Sequence, residues 1–450
     1  MEVIFSILQT VVIFIAAIFI LVLVHELGHF LAAKLFGMRV ERFSIGFPPR
    51  LFGIRKGHTD YCISALPLGG YVKISGMVDE SMDDSFAASE PKPYEYRSKP
   101  VWQRMIVISA GVIFNMILAY VIFTVITFSY GVNQIPAENI HGMYIPESST
   151  AAEVGFETGD RLVAVNEKEI DYVRRGQFFS MSDLTSMPLS FTVERDGERV
   201  TIHPPSDFLD YLARNPEFLE LQNALPSKVG AVADGTPAEE AGLMEGDKIV
   251  AIDGEEVGYW VQMVNMIQSG GDQMQFTIER DGERREIDIR PDPDRRIIGI
   301  TIVDPQEYFG FETVSFGFFG SIREGVNQAH DTLFGIINGF RQLLTGTISV
   351  RENLGGPVAI ASVTAEVTER GGALGFWNFT AFLSITLALM NILPIPMLDG
   401  GHLMFLIYEA VTRREPSMKV KMALQQIGFI LLIGLMIFVT FNDILRHVVN

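Results

Sequence analysis

The sequence predicts a polytopic α-helical membrane protein with four spans and one large extracytoplasmic insert, built from a duplicated α+β domain. Three observations predict it: four uncharged apolar runs of bilayer length, an alternation in the charge of the segments between them, and a repeat confined to the acidic segment. The 450 residues suffice for two or three domains. At 48% hydrophobic and 20% charged, with a mean hydropathy of +0.25, the chain is too apolar for disorder. A formal net charge of −19 argues against nucleic acid as a partner, since phosphate binding wants a basic face. Cys62 is the only cysteine, which excludes an intrachain disulfide and a cysteine-rich zinc module.

The first span, within residues 1–36, rests on Val3 to Val24, 22 residues without a charge. No Lys or Arg precedes this run and no small-residue cleavage site ends it, so it reads as a retained span rather than a signal peptide. Met105 to Tyr130 (26 residues) marks the second span, 101–130. Ala373 to Leu398 (26) marks the third, 373–400, and Met422 to Asn442 (21) marks the fourth, within 401–450. A spanning helix needs about 20 such residues, because the hydrocarbon core is about 30 Å thick and each residue rises about 1.5 Å. From Lys34 to Arg104 the chain carries a net +3, from Gly401 to Leu424 a net +2, and from Gly131 to Ala373 a net −21. The positive-inside rule therefore places the N-terminus and the insert outside and the two basic loops, one of them 37–100, in the cytoplasm. The lipid bilayer is thus the first partner.

The insert is a tandem repeat. AAEVGFETGDRLVAVNEKEI, starting at Ala151, recurs as AEEAGLMEGDKIVAIDGEEV from Ala238, and FTVERDGERVTI (Phe191 to Ile202) recurs as FTIERDGERREI (Phe276 to Ile287). These offsets divide the insert into copies at 131–221 and 222–305. Each copy has an alternating strand (Leu162 to Val165; Ile249 to Ile252) and a hairpin at Asp196-Gly197 or Asp281-Gly282, where a type I′ turn needs positive φ. The A-G-L-x-x-G-D-x-I text of the second copy resembles the circularly permuted PDZ domains of bacterial envelope proteases. Such repeats serve either as spacers or as peptide binders that add a strand to a sheet edge, here Ile298 to Ile302. In the juxtamembrane region 306–372, Ile322, Val326, Ala329, Leu333, Ile336, Phe340 and Leu343 recur every three or four residues, opposite Arg323, Glu324, Gln328 and Asp331. This amphipathic helix fits packing against the spans and lying at the interface equally.

Chemistry is concentrated in His25-Glu26-Leu27-Gly28-His29, inside the first span. Residues four apart share a helix face, so both imidazoles can reach one ion, and Glu26 sits where it can take a proton from water at that ion. A carboxylate at bilayer depth costs about 2.5–3.5 kcal/mol on the insertion scale, which an idle residue would not repay. Catalytic zinc usually has three protein ligands, so a third is required. Asp399, in NILPIPMLDG (Asn391 to Gly400), is one candidate and His402 another; an N-cap role for Asp399 is the structural alternative. Pro394 and Pro396 prevent regular helix there, and irregular backbone at membrane depth must be buried in protein or line a wet cavity.

HELGH in the first span with NILPIPMLDG in the third resembles the site-2 protease family of intramembrane zinc metalloproteases. VERFSIGF (Val40 to Phe47), ALPLGGYVKISG (Ala65 to Gly76), the Gly111 to Asn115 element and LGGPVAI (Leu354 to Ile360) extend the resemblance over nearly the whole chain. It departs at Val112, where related proteins often have proline. The resemblance implies His25, His29 and Asp399 as ligands of Zn2+ and Glu26 as general base and acid. It implies that Asn391 and the Pro394–Pro396 segment hold substrate, and that 37–100 folds into a membrane-associated β-structure bent at Gly69-Gly70, with an edge for the unwound substrate. Substrates would be single-span membrane proteins, such as a membrane anti-sigma factor after a first extracytoplasmic cut, and signal-peptide remnants; the location would be the bacterial inner membrane. The paired PDZ-like domains would then exclude intact ectodomains. Two other classes are a non-enzymatic PDZ receptor, which has no use for a buried HELGH, and a metal transporter, which needs a polar path that spans two and four lack. No G-x-S occurs, and Asp399 has no aspartate partner in another span, which disfavours serine and aspartyl intramembrane proteases.

Overall fold

The computed structural model describes residues 2–77, 90–140, 142–146, 149–173, 189–205, 222–223, 225–293, 295–345 and 355–449. Leu354 of the LGGPVAI motif lies outside the described residues, as do residues 78–89 within the 37–100 loop. The chain forms two compact units, one of residues 1–130 with 315–450 and one of residues 131–314.

The first unit opens with α1 (Glu2–Leu35), an apolar helix that runs past the HELGH motif to Lys34 in its last turn. β1 (Val40–Lys56) and β2 (Thr59–Ile74) follow as a long antiparallel hairpin. Both strands bend, so the hairpin makes four rows. Arg42–Ile45 of β1 pairs with Asp60–Ile63 on one side and Gly70–Lys73 on the other, and the outer half of β1 pairs with the far side of β2's first half. The last stretch of β2, residues 70–74, is therefore an edge with no further strand partner among the described residues. Cys62 and Ser64 are buried while Tyr61 is exposed, the alternation a half-buried strand requires; it ends at Leu66, which follows Cys62 and Ser64 in register but is exposed.

α2 (Val101–Tyr130) packs on α1 through Ala32, Ala33, Val107, Ile108 and Ala110, which share a core with Val40, Val72 and Ile74 of the hairpin. Among the described residues, four helices are long and apolar enough to cross a membrane: Leu8–Leu35, Val101–Tyr130, Pro357–Ile392 and Met418–Asp443.

Within the second unit, β3 (Val132–Pro136) begins the insert, and each copy then builds a four-stranded antiparallel sheet. In the first copy β4 (Arg161–Val165), β5 (Phe191–Arg195) and β6 (Glu198–Ile202) adjoin in that order. The second copy supplies β7 (Val229–Val232), β8 (Lys248–Ile252), α3 (Trp260–Ser269), β9 (Met274–Arg280) and β10 (Glu283–Ile289), of which β8, β9 and β10 adjoin likewise. Asp196 and Gly197 (φ 52° and 82°), like Asp281 and Gly282 (55° and 81°), adopt the left-handed backbone expected of these hairpin turns. The duplication extends to side chains. Arg195 donates to Asp160 Oδ1 at 2.7 Å and to the Gly155 carbonyl at 2.8 Å; Arg280 does the same to Asp247 (2.6 Å) and Gly242 (2.8 Å). Phe156, Leu162, Phe191 and Val193 fill one core, and Leu243, Ile249, Phe276 and Ile278 fill the other.

β11 (Ile300–Ile302) pairs with β7, and its other side has no strand partner among the described residues. It is shorter than the edge expected at Ile298 to Ile302, because Ile298 is drawn into the core. β12 (Glu312–Val314) closes the insert antiparallel to β3, with Val314 opposite Val132.

Back in the first unit, α4 (Phe318–Thr345) is the amphipathic helix, and it packs against α2. Its polar face is not all solvated: Glu324 is buried, and Gln328 donates to Glu324 at 3.2 Å and to Thr127 of α2 at 3.0 Å. Mutual hydrogen bonds let these polar groups leave water. Leu343 is half-buried on this helix. α5 (Pro357–Ile392) comprises two helical stretches joined at Gly372, whose backbone (φ 57°, ψ −144°) is not helical; the third span is expected from 373. α6 (Asp399–Thr412) and α7 (Met418–Val449) complete the bundle. Asp443 of α7 accepts from the Gly356 and Ala359 amides at 2.9 and 3.0 Å, supplying an anion to the start of α5.

Candidate active site

His25 and His29 lie one helical turn apart on α1, with rings edge to face at 4.8 Å between centroids and Nε2 atoms 3.2 Å apart. Asp399, the first residue of α6, brings Oδ2 to 3.2 Å from His25 Nε2 and 3.4 Å from His29 Nε2. Zinc bonds of about 2.0–2.1 Å in a tetrahedral arrangement would separate neighbouring donor atoms by about 3.3 Å. The three atoms already stand at that spacing. Asp399 Oδ2 is buried without a hydrogen-bond partner, so the site suits a cation between the three donors. His25, Glu26 and His29 are 8%, 7% and 8% exposed, which removes most competing water.

Local sequence explains how Asp399 reaches this position. α5 stops at Ile392, ahead of Pro394, and Met397 turns the chain at φ 82° before α6 starts. A Cβ at Gly400 would lie 2.5 Å from the Ile392 carbonyl carbon, and one at Gly401 would lie 2.5 Å from the Ile395 oxygen. The proline segment thus folds flat against the start of α6, and the two glycines after Asp399 make the space. Leu398, not Asp399, is the N-cap of α6, so the capping alternative for Asp399 fails.

A cavity of about 60 Å³ holds His25, Glu26, His29 and Asp399, together with Tyr71, Val72 and Ile74 from the edge stretch of β2. Gly70 brings that stretch against α1: a Cβ there would lie 3.1 Å from Glu26 Cγ and 2.7 Å from Val22. His402 also lines the cavity, but its Nε2 lies 3.2 Å from the Gln425 amide on α7, and it is not among the converging donors. Asn391 lies at the last turn of α5, Pro394 is exposed, and Pro396 backs onto Gly428 of α7; none of the three lines the cavity. Gly69 sits under the Phe47 ring.

Two contributors escaped the sequence reading. The Val107 carbonyl accepts from His29 Nδ1 at 2.8 Å, and a backbone oxygen leaves no mark in a sequence. Asn115, fully buried, lies 3.2 Å from His25 Nδ1, and an amide in the middle of an uncharged 26-residue run was a legible signal.

A His-x-x-x-His pair with an intervening glutamate and a converging distant carboxylate defines a metallopeptidase. The chain belongs to peptidase family M50, the site-2 protease family, whose sequence model matches residues 13–435. A Vibrio cholerae protein named as a zinc metalloprotease is 34% identical over 473 residues, covering 98% of this chain and 99% of its own. The regulator of sigma-E protease RseP of Escherichia coli is 31% identical over 458 residues, covering 96% of this chain and 98% of its own. Zinc metalloprotease RasP of Geobacillus kaustophilus is 31% identical over 458 residues, with 97% and 98% covered. Among solved structures, the PDZ domain of an SdrC-like protein from Listeria monocytogenes aligns at 27% identity, covering 18% of this chain and 88% of its own, with a TM-score of 0.16.

Proposed function

We propose that this metalloprotease cleaves the transmembrane segments of single-span proteins from within the bacterial inner membrane, with His25, His29 and Asp399 holding a zinc ion and Glu26 as general base and acid. The observation that carries this reading is the convergence of the three donor atoms at 3.2–3.4 Å beside buried Glu26. A zinc ion held there supplies Lewis acidity, acidifying water towards a pKa of about 7 and polarising the scissile carbonyl. Glu26 takes the proton of the attacking water and returns one to the leaving amine nitrogen. The surrounding helices exclude bulk water, and the cavity admits little more than a water and a peptide group.

A helical peptide bond is shielded by its own hydrogen bonds, so substrate must unwind before it can be cut. In this reading the free edge at 70–74 receives the unwound strand, which is supported by Tyr71, Val72 and Ile74 lining the same cavity as Glu26. With the N-terminus outside, His25 precedes Lys34 by nine residues, about 13 Å of helix, which puts cleavage in the cytoplasmic half of the bilayer. Similarity to regulator of sigma-E proteases supports a membrane anti-sigma factor, already shortened outside, as the substrate class, in regulated intramembrane proteolysis; signal-peptide remnants fit the same site. The two insert copies, read as tandem circularly permuted PDZ domains, act as a filter against long ectodomains.

The deciding experiment uses purified Glu26→Gln and His25→Ala with a single-span test substrate. Glu26→Gln should lose at least about 100-fold in cleavage while zinc stays bound, because glutamine cannot accept the proton but the ligands remain. His25→Ala should lose both. Turnover by Glu26→Gln at the native rate overturns the mechanism.

A further inference from the structure

Val107, Gly111 and Asn115 follow one another at intervals of four along α2 and form one stripe facing the two histidines. Gly111 occupies the middle, where a Cβ would lie 2.6 Å from His25 Cε1 and 2.7 Å from His25 Nε2. The stripe therefore touches both rings, with hydrogen-bonding groups at its two ends.

The upper and lower contacts have different logic as they stand. A carbonyl can only accept, so the Val107 contact puts the proton of His29 on Nδ1 and leaves the Nε2 lone pair for a metal. At His25 the neighbour of Nδ1 is Asn115 Nδ2, while Asn115 Oδ1 is buried with no partner. An amide N–H can meet Nδ1 only if Nδ1 is bare, which moves the ring proton to Nε2. That proton would then point at His29 Nε2 and Asp399 Oδ2 and occupy the lone pair a metal requires. A half turn of the amide exchanges its oxygen and nitrogen at almost no steric cost, and the hydrogen-bond network decides between the two states.

We infer that Asn115 is a positioning residue of this site: its amide oxygen accepts from His25 Nδ1–H, as the Val107 carbonyl does from His29, so that one helix sets the tautomer and tilt of both metal ligands. The inference rests on the reading of His25 as a ligand. Asn115 does not line the catalytic cavity, so it acts through His25 and not on substrate. Its own backbone is held as well: Ser384 of α5, fully buried, donates to the Asn115 carbonyl at 2.8 Å. Partners of this kind make a ligating imidazole more basic and fix its orientation, and their loss typically costs 10–100-fold in metal affinity.

The test compares Asn115→Asp and Asn115→Leu in the full-length, detergent-purified protein, reading Zn2+ affinity by chelator competition and the visible spectrum of the Co2+ form. Both side chains share asparagine's branched arrangement of heavy atoms, leucine being the bulkier. Aspartate keeps an acceptor and cannot donate, whereas leucine offers neither. Asn115→Asp should bind Zn2+ at least as tightly as the native protein and keep its Co2+ spectrum, while Asn115→Leu should bind about 10–100-fold more weakly. A merely structural role predicts the reverse order, since a buried apolar isostere is tolerated and a buried charge is not. The reverse order, equal affinities in all three proteins, or equal losses in both variants would each overturn the inference. If Asn115→Leu does not fold, Asn115→Asp decides alone: retention supports the assignment and loss overturns it. His25→Ala separates the two levels, because full Zn2+ binding by that variant removes His25 as a ligand whatever Asn115 does.

Discussion

At the scale of single residues, the proposed third ligand joins segments 374 residues apart, since Asp399 meets His25 across the whole insert. Asp399→Asn should lose zinc along with activity, because a neutral amide oxygen is a poorer donor and two histidines leave the ion short of its usual three protein ligands. His402→Ala is the control and should keep its metal, since His402 faces Gln425. Metal analysis of both purified variants checks this; full occupancy in Asp399→Asn with loss in His402→Ala would transfer the role. The histidine pair and its glutamate were legible from helical spacing alone. Asp399 needed a resemblance to distinguish it from His402, because spacing carries no information between two elements so far apart. Gly400 and Gly401 held a clue of a different kind. Their meaning, a backbone folded flat on a helix start, becomes readable only once the neighbouring carbonyls have positions.

At the scale of elements, the four apolar helices follow from uncharged runs that admit no other economical solution in a bilayer. The hairpin turns follow from Asp-Gly pairs that tolerate positive φ. What composition did not reveal was the helix break at Gly372 and the inward turn of Glu324, since both depend on what a neighbouring helix offers. The Asp247–Arg280 pair in the second copy has a measurable consequence. Burial alone would raise the Asp247 carboxyl, but the Arg280 hydrogen bonds and the Met244 amide outweigh it and hold it below the ordinary range. A depressed folded value means the stabilisation is fully present above the unfolded value of about 3.9 and lost as pH falls through the folded one. Asp247→Asn should therefore destabilise the second copy by about 1.5–3 kcal/mol at neutral pH, a difference that shrinks below about pH 4. Urea titration followed by Trp260 fluorescence, with Trp102 and Trp377 replaced by Phe, measures it; a pH-independent difference would mean that the charge is irrelevant.

At the scale of the whole molecule, strand pairing brings the ends of each inserted piece together. Val229 stands opposite Ile302 at the two ends of the second copy, so residues 229–302 can be excised and bridged by a short linker. If this copy filters substrates, the excised protein should cleave substrates with long ectodomains that the native protein rejects, while short ones are cut at the native rate. Loss of cleavage of short substrates by a folded, inserted protein would instead make the copy a delivery device. The insert as a whole is clasped in the same way, Val132 opposite Val314, and it stands in the chain between the two halves of the proposed metal site. A chain ended at Ile392 should accordingly enter the membrane, keep no zinc and cut nothing, which metal analysis and a cleavage assay can check. Time enters through this arrangement. Asp399 is made 370 residues after His29, roughly 20–70 s later at ordinary rates of synthesis. If Asp399 completes the metal site as proposed, every newborn copy spends its first moments in the membrane as a harmless neighbour, armed only when its last few helices arrive.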